Sequence, residues 1–338
     1  MSILQNNCDF LFLYDATLCN PNGDPDQENK PRMDYDTNTN LVTDIRLKRS
    51  IRDYLKAKGN DIFVDMEGDT KVSPDSKLEA VLLRIFKENI DSNILFAGNK
   101  NSEDLIKRFE DAKKIYSDPN KLFEFLQGPK EKSGKHKPPY QEVNYAILAY
   151  LIKQKFVDIR MFGSAFAIAT FNKAYTGAIQ INWGYSLHEV ELVDSNTIVT
   201  IMNDDNSTFG KDYRLYYSLL AFNGTMNKYA AITTGLKETE KEIFRDAIWN
   251  SISANPTRSK LNQYPKLYLE IIYNDGFSNG YFGDLRKYVI VKPKTDKIRG
   301  LQDLEINLTK LKSLLDENKG EGKAVKEVYF KNHTNITY

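Results

Sequence analysis

Runs of apolar residues separated by polar segments predict a protein that mixes helices and strands. The aromatic-rich run at 8–14 predicts a buried strand. Apolar and polar residues alternate with a period of two at 177–183, which predicts a strand with one buried face. Two further apolar runs, at 213–222 and 267–273, predict strands, and the second is expected to close the sheet. A short apolar strand is expected at 60–65.

Apolar residues at helical spacing lie between these strands. The order of strand, helix, strands, helix and strand predicts an α+β protein with a ferredoxin-like or RRM-like sheet domain. The helices are expected at 44–57, 73–85, 102–116, 141–155 and 239–252. The expected organisation is a discontinuous sheet domain at 1–65 and 156–290, a mainly helical insertion at 66–155, a projecting hairpin at 189–212, and a peripheral segment at 291–338 with a helix near 301–318 and a final strand.

The stretch at 15–58 combines a polar loop with a helix that has one basic face. The loop is rich in Asn, Pro, Gly and Asp, which favour turns, and Thr43 or Asp44 can cap the helix that follows. One face of this helix is apolar and the opposite face is basic, so phosphate is the expected ligand, although a solvated basic face is an alternative. The apolar face carries Leu47, Ile51, Tyr54 and Leu55, and the basic face carries Lys48, Arg49, Arg52 and Lys56.

Several motifs carry a resemblance to a known family. The segments Asn-Pro-Asn-Gly-Asp-Pro-Asp at 20–26, Pro-Arg at 31–32 and Thr-Asp-Ile-Arg-Leu-Lys-Arg-Ser-Ile-Arg-Asp-Tyr at 43–54 resemble the N-terminal signature of the CRISPR-associated Cas-seven family. They are similar to its Csd/Csh branch, type I-B, which forms the repeated backbone of type I Cascade complexes. Later blocks of the same family resemble this chain in the same order, at 158–164, 176–180 with 186–188, 208–210 and 258–260.

The resemblance implies a function in antiviral defence. The chain is expected to assemble in several copies along the spacer of a CRISPR RNA and to present it for pairing with target DNA, with contacts to the RNA backbone rather than to its bases. The other implied partners are further Cascade subunits, namely the large subunit, a Cas-five-type subunit, the small subunit and the crRNA-processing endonuclease. The implied RNA-binding residues are Asn20, Asn22, Arg32, Arg46, Lys48, Arg49, Arg52, Phe162 and Ser164.

The same resemblance names the parts of the molecule as a palm, helical fingers and a thumb. The thumb is the hairpin at 189–212, which in the family lies across the guide RNA and displaces a base. Its apolar tip is expected to consist of Ile198, Val199, Ile201 and Met202. A small hairpin does not bury four apolar side chains, so either a neighbouring copy or an unstacked base is expected to cover them.

Composition narrows the class of protein. The 338 residues contain 47 Lys and Arg against 46 Asp and Glu, which excludes a purely electrostatic, histone-like binder and makes any basic surface local. No signal peptide and no apolar run of membrane-spanning length is recognised, so a cytoplasmic protein without a membrane partner is expected, and the resemblance implies that it is prokaryotic. Cys8 and Cys19 lack metal-ligand spacing and are expected to be reduced thiols.

A lysine-rich segment at 128–139 is expected to be a loop. It does not match a nucleotide-binding P-loop, because its glycines are wrongly spaced and no Ser or Thr follows Gly134-Lys135. Its lysines are either solvated charges or contacts to a DNA backbone. The four candidates for DNA contact are Lys130, Lys132, Lys135 and Lys137.

No catalytic group, metal site or cofactor is predicted. The histidines His136, His188 and His333 are far apart, and a Ser186 and His188 pair is expected to be structural. An acidic loop is the best case for Mg²⁺ binding, so a metal-dependent ribonuclease is one alternative function and a protein-only assembly scaffold is another. The acidic residues of that loop are Asp24, Asp26, Asp34 and Asp36.

The sequence allows two interpretations for three aromatic residues and two for one glycine-rich loop. Trp183, Tyr185 and Phe162 are expected in the core, with base stacking as the alternative. A loop with Gly276, Gly280 and Gly283 is either a cradle for RNA backbone or a plain hairpin loop.

Overall fold

The structure is a computed structural model that describes residues 2–64, 83–88, 90–97, 101–127, 141–168, 171–201, 207–333, 336 and 338. Contacts divide the chain into two compact units. Unit 1 comprises Met1–Tyr54, Ile179–Lys228 and Lys237–Tyr338, and unit 2 comprises Leu55–Ala178 and Tyr229–Leu236. None of the helices among the described residues has the length and apolar character needed to cross a membrane.

The strands and helices alternate in blocks along the chain. The strands are β1 Cys8–Cys19, β2 Gly23–Asp24, β3 Lys30–Pro31, β4 Met33–Asp34, β5 Thr39–Val42, β6 Gly163–Ile168, β7 Phe171–Thr176, β8 Ile179–Ile181, β9 Gly184–Ser186, β10 Thr197–Ile201, β11 Ser207–Lys211, β12 Leu215–Met226, β13 Gln263–Tyr273, β14 Ile290–Pro293, β15 Leu304–Asn307 and β16 Val325–Asn332. The helices are α1 Asp44–Ala57, α2 Ser92–Leu95, α3 Ser102–Ile115, α4 Pro119–Gln127, α5 Gln141–Gln154, α6 Val157–Phe162, α7 Lys228–Thr234, α8 Glu238–Ala254 and α9 Thr309–Glu317. Short 3-10 helices occupy Pro25–Gln27, Leu285–Tyr288 and Leu301–Asp303.

Unit 1 is built on one large antiparallel sheet. Among the described residues the strand order is β16-β13-β1-β12-β9-β5-β4, and β8 also pairs with β12. Along the chain, α1 lies between β1 and the β8–β9 strands, and α8 lies between β12 and β13. The predicted α+β class and the order of strand, helix, strands, helix and strand are therefore confirmed.

The central strand β1 has both of its faces covered by apolar side chains. Successive residues of a strand point to opposite faces. On one face, Leu11 belongs to a core that also contains Leu311 of α9. On the other face, the ring of Phe10 lies 5.4 Å from that of Phe244 of α8. This double burial explains why the first strand is a continuous apolar run instead of an alternating one.

Two predicted strand features differ in the structure. Residues 60–64 form no strand, because the amides of Phe63 and Val64 donate to the carboxylate of Asp158 at 2.9 and 3.0 Å instead of to a neighbouring strand. The strand at 267–273 does not close the sheet. It lies within β13, between β1 and β16, and β16 forms the edge.

The C-terminal residues contribute to unit 1 directly. The expected helix and final strand are present as α9 and β16. Strand β16 pairs with β13 from Leu267↔Asn332 to Tyr273↔Val325, and α9 buries Leu311 and Leu315 in the core beneath the sheet. This segment therefore completes the core of unit 1.

Unit 2 is mainly helical and has its own core. Leu105, Phe109 and Ala112 of α3 pack with Val143 and Ile147 of α5 in one apolar cluster. The predicted helices at 102–116 and 141–155 are thus observed. Residues 83–88 are helical, but most of the predicted helix at 73–85 lies outside the described residues, as does the lysine-rich segment at 128–139.

Candidate nucleic-acid interface

The loop at 20–43 is held in one shape by its own asparagines. The Asn22 side-chain oxygen accepts hydrogen bonds from the backbone N–H and the hydroxyl of Thr43, at 2.9 and 3.0 Å. The Asn20 amide donates to the carbonyl of Asn29 at 2.8 Å. The carbonyl of Arg32 accepts from the side-chain amide of Asn40 at 2.9 Å. These contacts tie the loop to itself and to the start of α1, so Asn20 and Asn22 position the backbone.

Helix α1 begins and packs as its sequence predicts. The hydroxyl of Thr43 accepts from the N–H of Arg46 at 3.2 Å and so caps the first turn. The four predicted apolar-face residues are buried, while Ile45 is 71% exposed. The buried residues are Leu47, Ile51, Tyr54 and Leu55.

The basic face of α1 carries less free charge than its sequence suggests. Lys48 forms an ion pair with Asp44 at 2.9 Å, and Arg49 forms one with Asp53 at 2.8 Å. Both pairs join residues four positions apart, a spacing that favours such contacts in helices. Arg52 is half-buried and also interacts with neighbouring groups. Two of the four residues of the predicted basic face, Lys48 and Arg49, are therefore paired with carboxylates of the same helix.

A second group of cations surrounds the end of β1. The Lys260 ammonium donates to the carbonyl of Asn20, and the N–H of Asn20 donates to the carbonyl of Ser259 at 2.9 Å. Arg214 donates to the carbonyl of Leu18 at 2.9 Å. Burial and, to a smaller extent, the positive charge of Arg46 lower the pKa of Lys260 to about 8. The charge of Arg46 therefore acts on Lys260 although the two residues come from distant parts of the sequence.

Arg214 and Arg258, beside this group, share one carboxylate. Asp212 accepts from Arg214 at 2.8 Å and from Arg258 at 3.2 Å. Sequence reasoning gave no binding role to Lys260, Arg214 or Arg258. The Arg258-Ser259-Lys260 block was recognised only as part of the resemblance, and its proximity to Asn20 depends on the pairing of β1 with β13.

Trp183 lies on the surface, so the expectation that it is a core residue is wrong. Its side chain is 47% exposed. The guanidinium of Arg32 lies over the ring, 5.5 Å from the centroid, and forms an ion pair with Asp24 at 3.2 Å. Arg286 donates to the carbonyl of Trp183 at 2.6 Å and covers Tyr185, which is half-buried. One exposed indole is therefore fixed beside one loop arginine.

Strands β10 and β11 form the predicted hairpin in unit 1. Val199 pairs with Phe209, and the Ile198 side chain lies across Gly210, where a Cβ atom would approach it to 3.2 Å. The side chains of Val199 and Ile201, and the whole of Met202, lie outside the described residues. At the base of the hairpin, Glu28 accepts from Tyr213 at 2.8 Å and from Lys211 at 3.3 Å. These two donors lower the pKa of Glu28 and connect the hairpin base to the loop at 20–43.

The remaining candidates lie in unit 2 or outside the described residues. Phe162 is buried at the end of α6, as expected, and Ser164 pairs with Tyr175 between β6 and β7. Gly163 has a φ of +75°, and a Cβ there would lie 2.1 Å from the carbonyl of Tyr175, so only glycine fits this crossing. Lys130, Lys132, Lys135 and Lys137 all lie outside the described residues.

The acidic loop and His188 both have structural contacts. Asp24 accepts from the N–H of Asp26, and Asp34 accepts from the N–H of Asp36 and from the hydroxyl of Thr37. The described part of the chain contains no group of three His, Cys, Asp or Glu residues that could hold a metal ion. His188 accepts from the N–H of Leu219 at 3.1 Å, and burial lowers its pKa. Its imidazole is therefore neutral and structural.

Three findings relate the chain to known proteins. A family model described as CRISPR-associated protein Cas7 matches residues 6–309. A CRISPR-associated protein Cas7 of Haloferax volcanii is 27% identical over 321 residues, which cover 92% of this chain and 83% of that protein. A chain of a solved structure titled "CRISPR RNA-guided surveillance complex, pre-nicking" aligns with a TM-score of 0.56 and 12% identity, over 98% of this chain and 94% of that chain. At that identity the structural likeness concerns the fold alone.

Proposed function

Since the chain belongs to the CRISPR-associated protein Cas7 family, we propose that it is a non-catalytic subunit that binds the guide RNA of a type I Cascade complex. The observation that carries this proposal is the gathering of cations around the end of β1. Arg46, Lys260, Arg214 and Arg258 meet there, and Asp212 is the carboxylate that pairs with two of them. Such a local excess of positive charge suits a polyanion, although the net charge of the chain is only +1.

The RNA contact proposed for this surface is mainly to backbone phosphates. Loop residues Asn20 and Asn22 position the chain, Arg32 and Arg46 supply charge, and Lys48, Arg49 and Arg52 border them on α1. Trp183 adds an exposed aromatic face on which a base can stack. Contacts to phosphate and shape leave the bases free for pairing, as a guide requires.

The division into palm, fingers and thumb is part of the proposal. A palm at 1–65 and 156–290 is supported by the strand order β13-β1-β12-β9 with α1 and α8, which is a ferredoxin-like arrangement. Helices support the fingers at 66–155, and the β10–β11 hairpin supports a thumb at 189–212. The thumb tip would use Ile198, Val199, Ile201 and Met202, while Ser164 would contact RNA from its own part of the chain.

The proposed assembly contains several copies of this chain along one CRISPR RNA, in a type I-B complex. Its further partners are the other Cascade subunits and the target DNA, which reaches the protein through the guide. Lysines at 130–137 are proposed to contact that DNA.

The decisive experiment is to purify the chain from cells with and without a CRISPR array and to sequence the bound RNA. The proposal expects small RNA of uniform length that carries spacer sequence. A protein-only scaffold would carry none. A ribonuclease would shorten added RNA in Mg²⁺, and Asp24→Ala or Asp26→Ala would abolish that cleavage. The absence of bound RNA would contradict the proposal, and so would RNA cleavage that these substitutions abolish.

A further inference from the structure

Glu28 holds the base of the β10–β11 hairpin with a side chain that projects from a strained backbone position. Its φ and ψ are 51° and 33°, in the left-handed region, and the next residue, Asn29, has a φ of 60°. Asparagine tolerates this region, whereas glutamate rarely adopts it, and glycine would occupy position 28 at the least cost. A strained residue at such a position points to a role for its side chain.

The Glu28 carboxylate lies among the polar and basic groups at the hairpin base. It accepts from the hydroxyl of Tyr213 at 2.8 Å and from the ammonium of Lys211 at 3.3 Å. The ammonium groups of Lys30 and Lys211 lie 5.2 and 5.8 Å from the centroid of the Tyr213 ring. We call the contact of Glu28 with Tyr213 and Lys211 the Glu28 latch, because it joins the loop at 20–43 to the end of β11.

The Glu28 latch is weak enough to open. The side chains of Lys211 and Glu28 are 58% and 64% exposed, and ion pairs between exposed groups contribute little to stability. The left-handed backbone at Glu28 lowers the net gain from the contact further. A weak contact that is held against backbone strain opens when a competing ligand binds its donors.

The loop keeps its own anchors when the latch opens. The N–H of Asn29 donates to the carbonyl of Asp24 at 2.9 Å, and the Asn20 amide donates to the carbonyl of Asn29 at 2.8 Å. Neither contact involves the Glu28 side chain. Opening the latch therefore releases the base of the hairpin and leaves the backbone of the loop in place.

We propose that the Glu28 latch is an autoinhibitory contact, in which Glu28 occupies Tyr213 and Lys211 until RNA displaces it and so frees the base of the hairpin. This inference rests on the proposed RNA-binding function. A carboxylate and a phosphodiester each carry one negative charge and accept hydrogen bonds from the same donors, so they compete. The hairpin is held against the loop before RNA binds and is able to move afterwards.

The first test needs no RNA and measures hydrogen exchange of the β11 amides, residues 207–211. Glu28→Gly removes the latch but suits the left-handed backbone, so the loop keeps its shape. Exchange in this variant should be at least about threefold faster than in the wild type. Asn29→Gly is the matched control, because it makes the same change at the adjacent left-handed residue and keeps the latch. Equal exchange in Glu28→Gly and the wild type would reject the latch.

The second test measures the affinity for a single-stranded oligoadenylate RNA. Glu28→Gly removes the competing anion and should bind roughly fivefold more tightly, and Tyr213→Phe, which removes one donor to Glu28 without changing charge, roughly threefold more tightly. Glu305→Gln removes the same charge from the exposed face of β15 and should bind like the wild type.

The outcomes of the second test separate the inference from the proposed function. Weaker RNA binding by Glu28→Gly and Tyr213→Phe would mean that the latch prepares the hairpin for RNA, and it would overturn the autoinhibition. An equal gain in Glu28→Gly and Glu305→Gln, with none in Tyr213→Phe, would do the same, because net charge would then explain the gain. Absence of RNA binding by the wild type and by all variants would instead contradict the proposed function.

Discussion

Two groups of cations in unit 1 differ in how their charge is balanced. Lys48 and Arg49 on α1 each have a carboxylate four residues away, at 2.9 and 2.8 Å. Arg46 and Lys260 have none among the described residues. The first group stabilises its own helix, while the second group retains charge for a ligand. Basic residues counted along a helix therefore do not measure the charge that the helix offers to RNA.

The two groups also differ in what brings them together. A helix alone places Lys48 beside Asp44, because residues four apart face the same side. Arg46 and Lys260 meet only because β1 pairs with β13 and delivers Asn20 to Ser259 and Lys260. The first contact is encoded locally, and the second requires the whole sheet.

The largest effects on RNA affinity are expected when the cations of each group are removed in turn. Arg46→Ala with Lys260→Ala should weaken RNA binding by at least roughly a hundredfold, because charge-assisted hydrogen bonds contribute about 1.5–3 kcal/mol each and two of them are removed. The loss of one phosphate contact should also flatten the dependence of log K on log salt by roughly 0.7 on the single-strand coefficient. Filter binding at several salt concentrations measures both quantities.

The matched control is Lys48→Ala with Arg49→Ala, which changes net charge by the same amount. Since these cations are already paired, the affinity should fall by much less than in the first double variant. Equal losses in the two variants would mean that net charge matters and local compensation does not.

The sequence predicts local features of this site well and distant contacts poorly. The loop at 20–43, the Thr43 cap and the apolar face of α1 follow from residue types and spacing within a few positions. The ion pairs of Lys48 with Asp44 and of Arg49 with Asp53 can also be predicted from the sequence, because the members of each pair are four residues apart in a helix. The sequence analysis did not predict them. The roles of Lys260 and Arg214 depend on strand pairing between distant segments, which no local pattern specifies.

Trp183 shows a second limit of predicting burial from the alternation of apolar and polar residues. Period-two alternation at 177–183 correctly marks a strand, yet β8 ends at Ile181 and Trp183 lies in the connection to β9. Two residues beyond the strand, alternation no longer determines which side is buried. The contacts of Trp183 come from other parts of the chain, since Arg32 lies over its ring and Arg286 donates to its carbonyl.

A smaller effect is expected where the loop is tied to α1. Asn22→Ala removes the acceptor for the backbone N–H and the hydroxyl of Thr43, so it should lower the free energy of unfolding by about 1–2 kcal/mol. Urea denaturation measures this change. RNA affinity should fall as well, because Arg46 follows the cap at Thr43 while the Lys48 and Arg49 pairs stay intact.

Asn22→Asp is the control for Asn22→Ala, because it keeps the hydrogen-bond acceptor and changes only the charge. Its carboxylate oxygen still accepts from Thr43, so stability should remain near that of the wild type, while the added negative charge near Arg46 should still weaken RNA binding. An Asn22→Ala protein with an unchanged urea midpoint would show that the loop is held by other contacts.

The smallest effect is expected from a substitution that removes the carboxylate partner of one paired cation. Asp53→Asn removes the partner of Arg49, so the helix should lose about 0.3–0.5 kcal/mol, the usual contribution of such a pair. RNA affinity should rise, by about twofold at low salt, because an exposed charge at this distance contributes only a few tenths of a kcal/mol. The gain should vanish at high ionic strength, where exposed charges are screened. Glu305→Gln removes the same charge from the exposed face of β15 and should leave affinity unchanged. If both variants bind RNA more tightly by the same factor, the gain reflects net charge, and Asp53 has no special part in withholding Arg49 from the RNA.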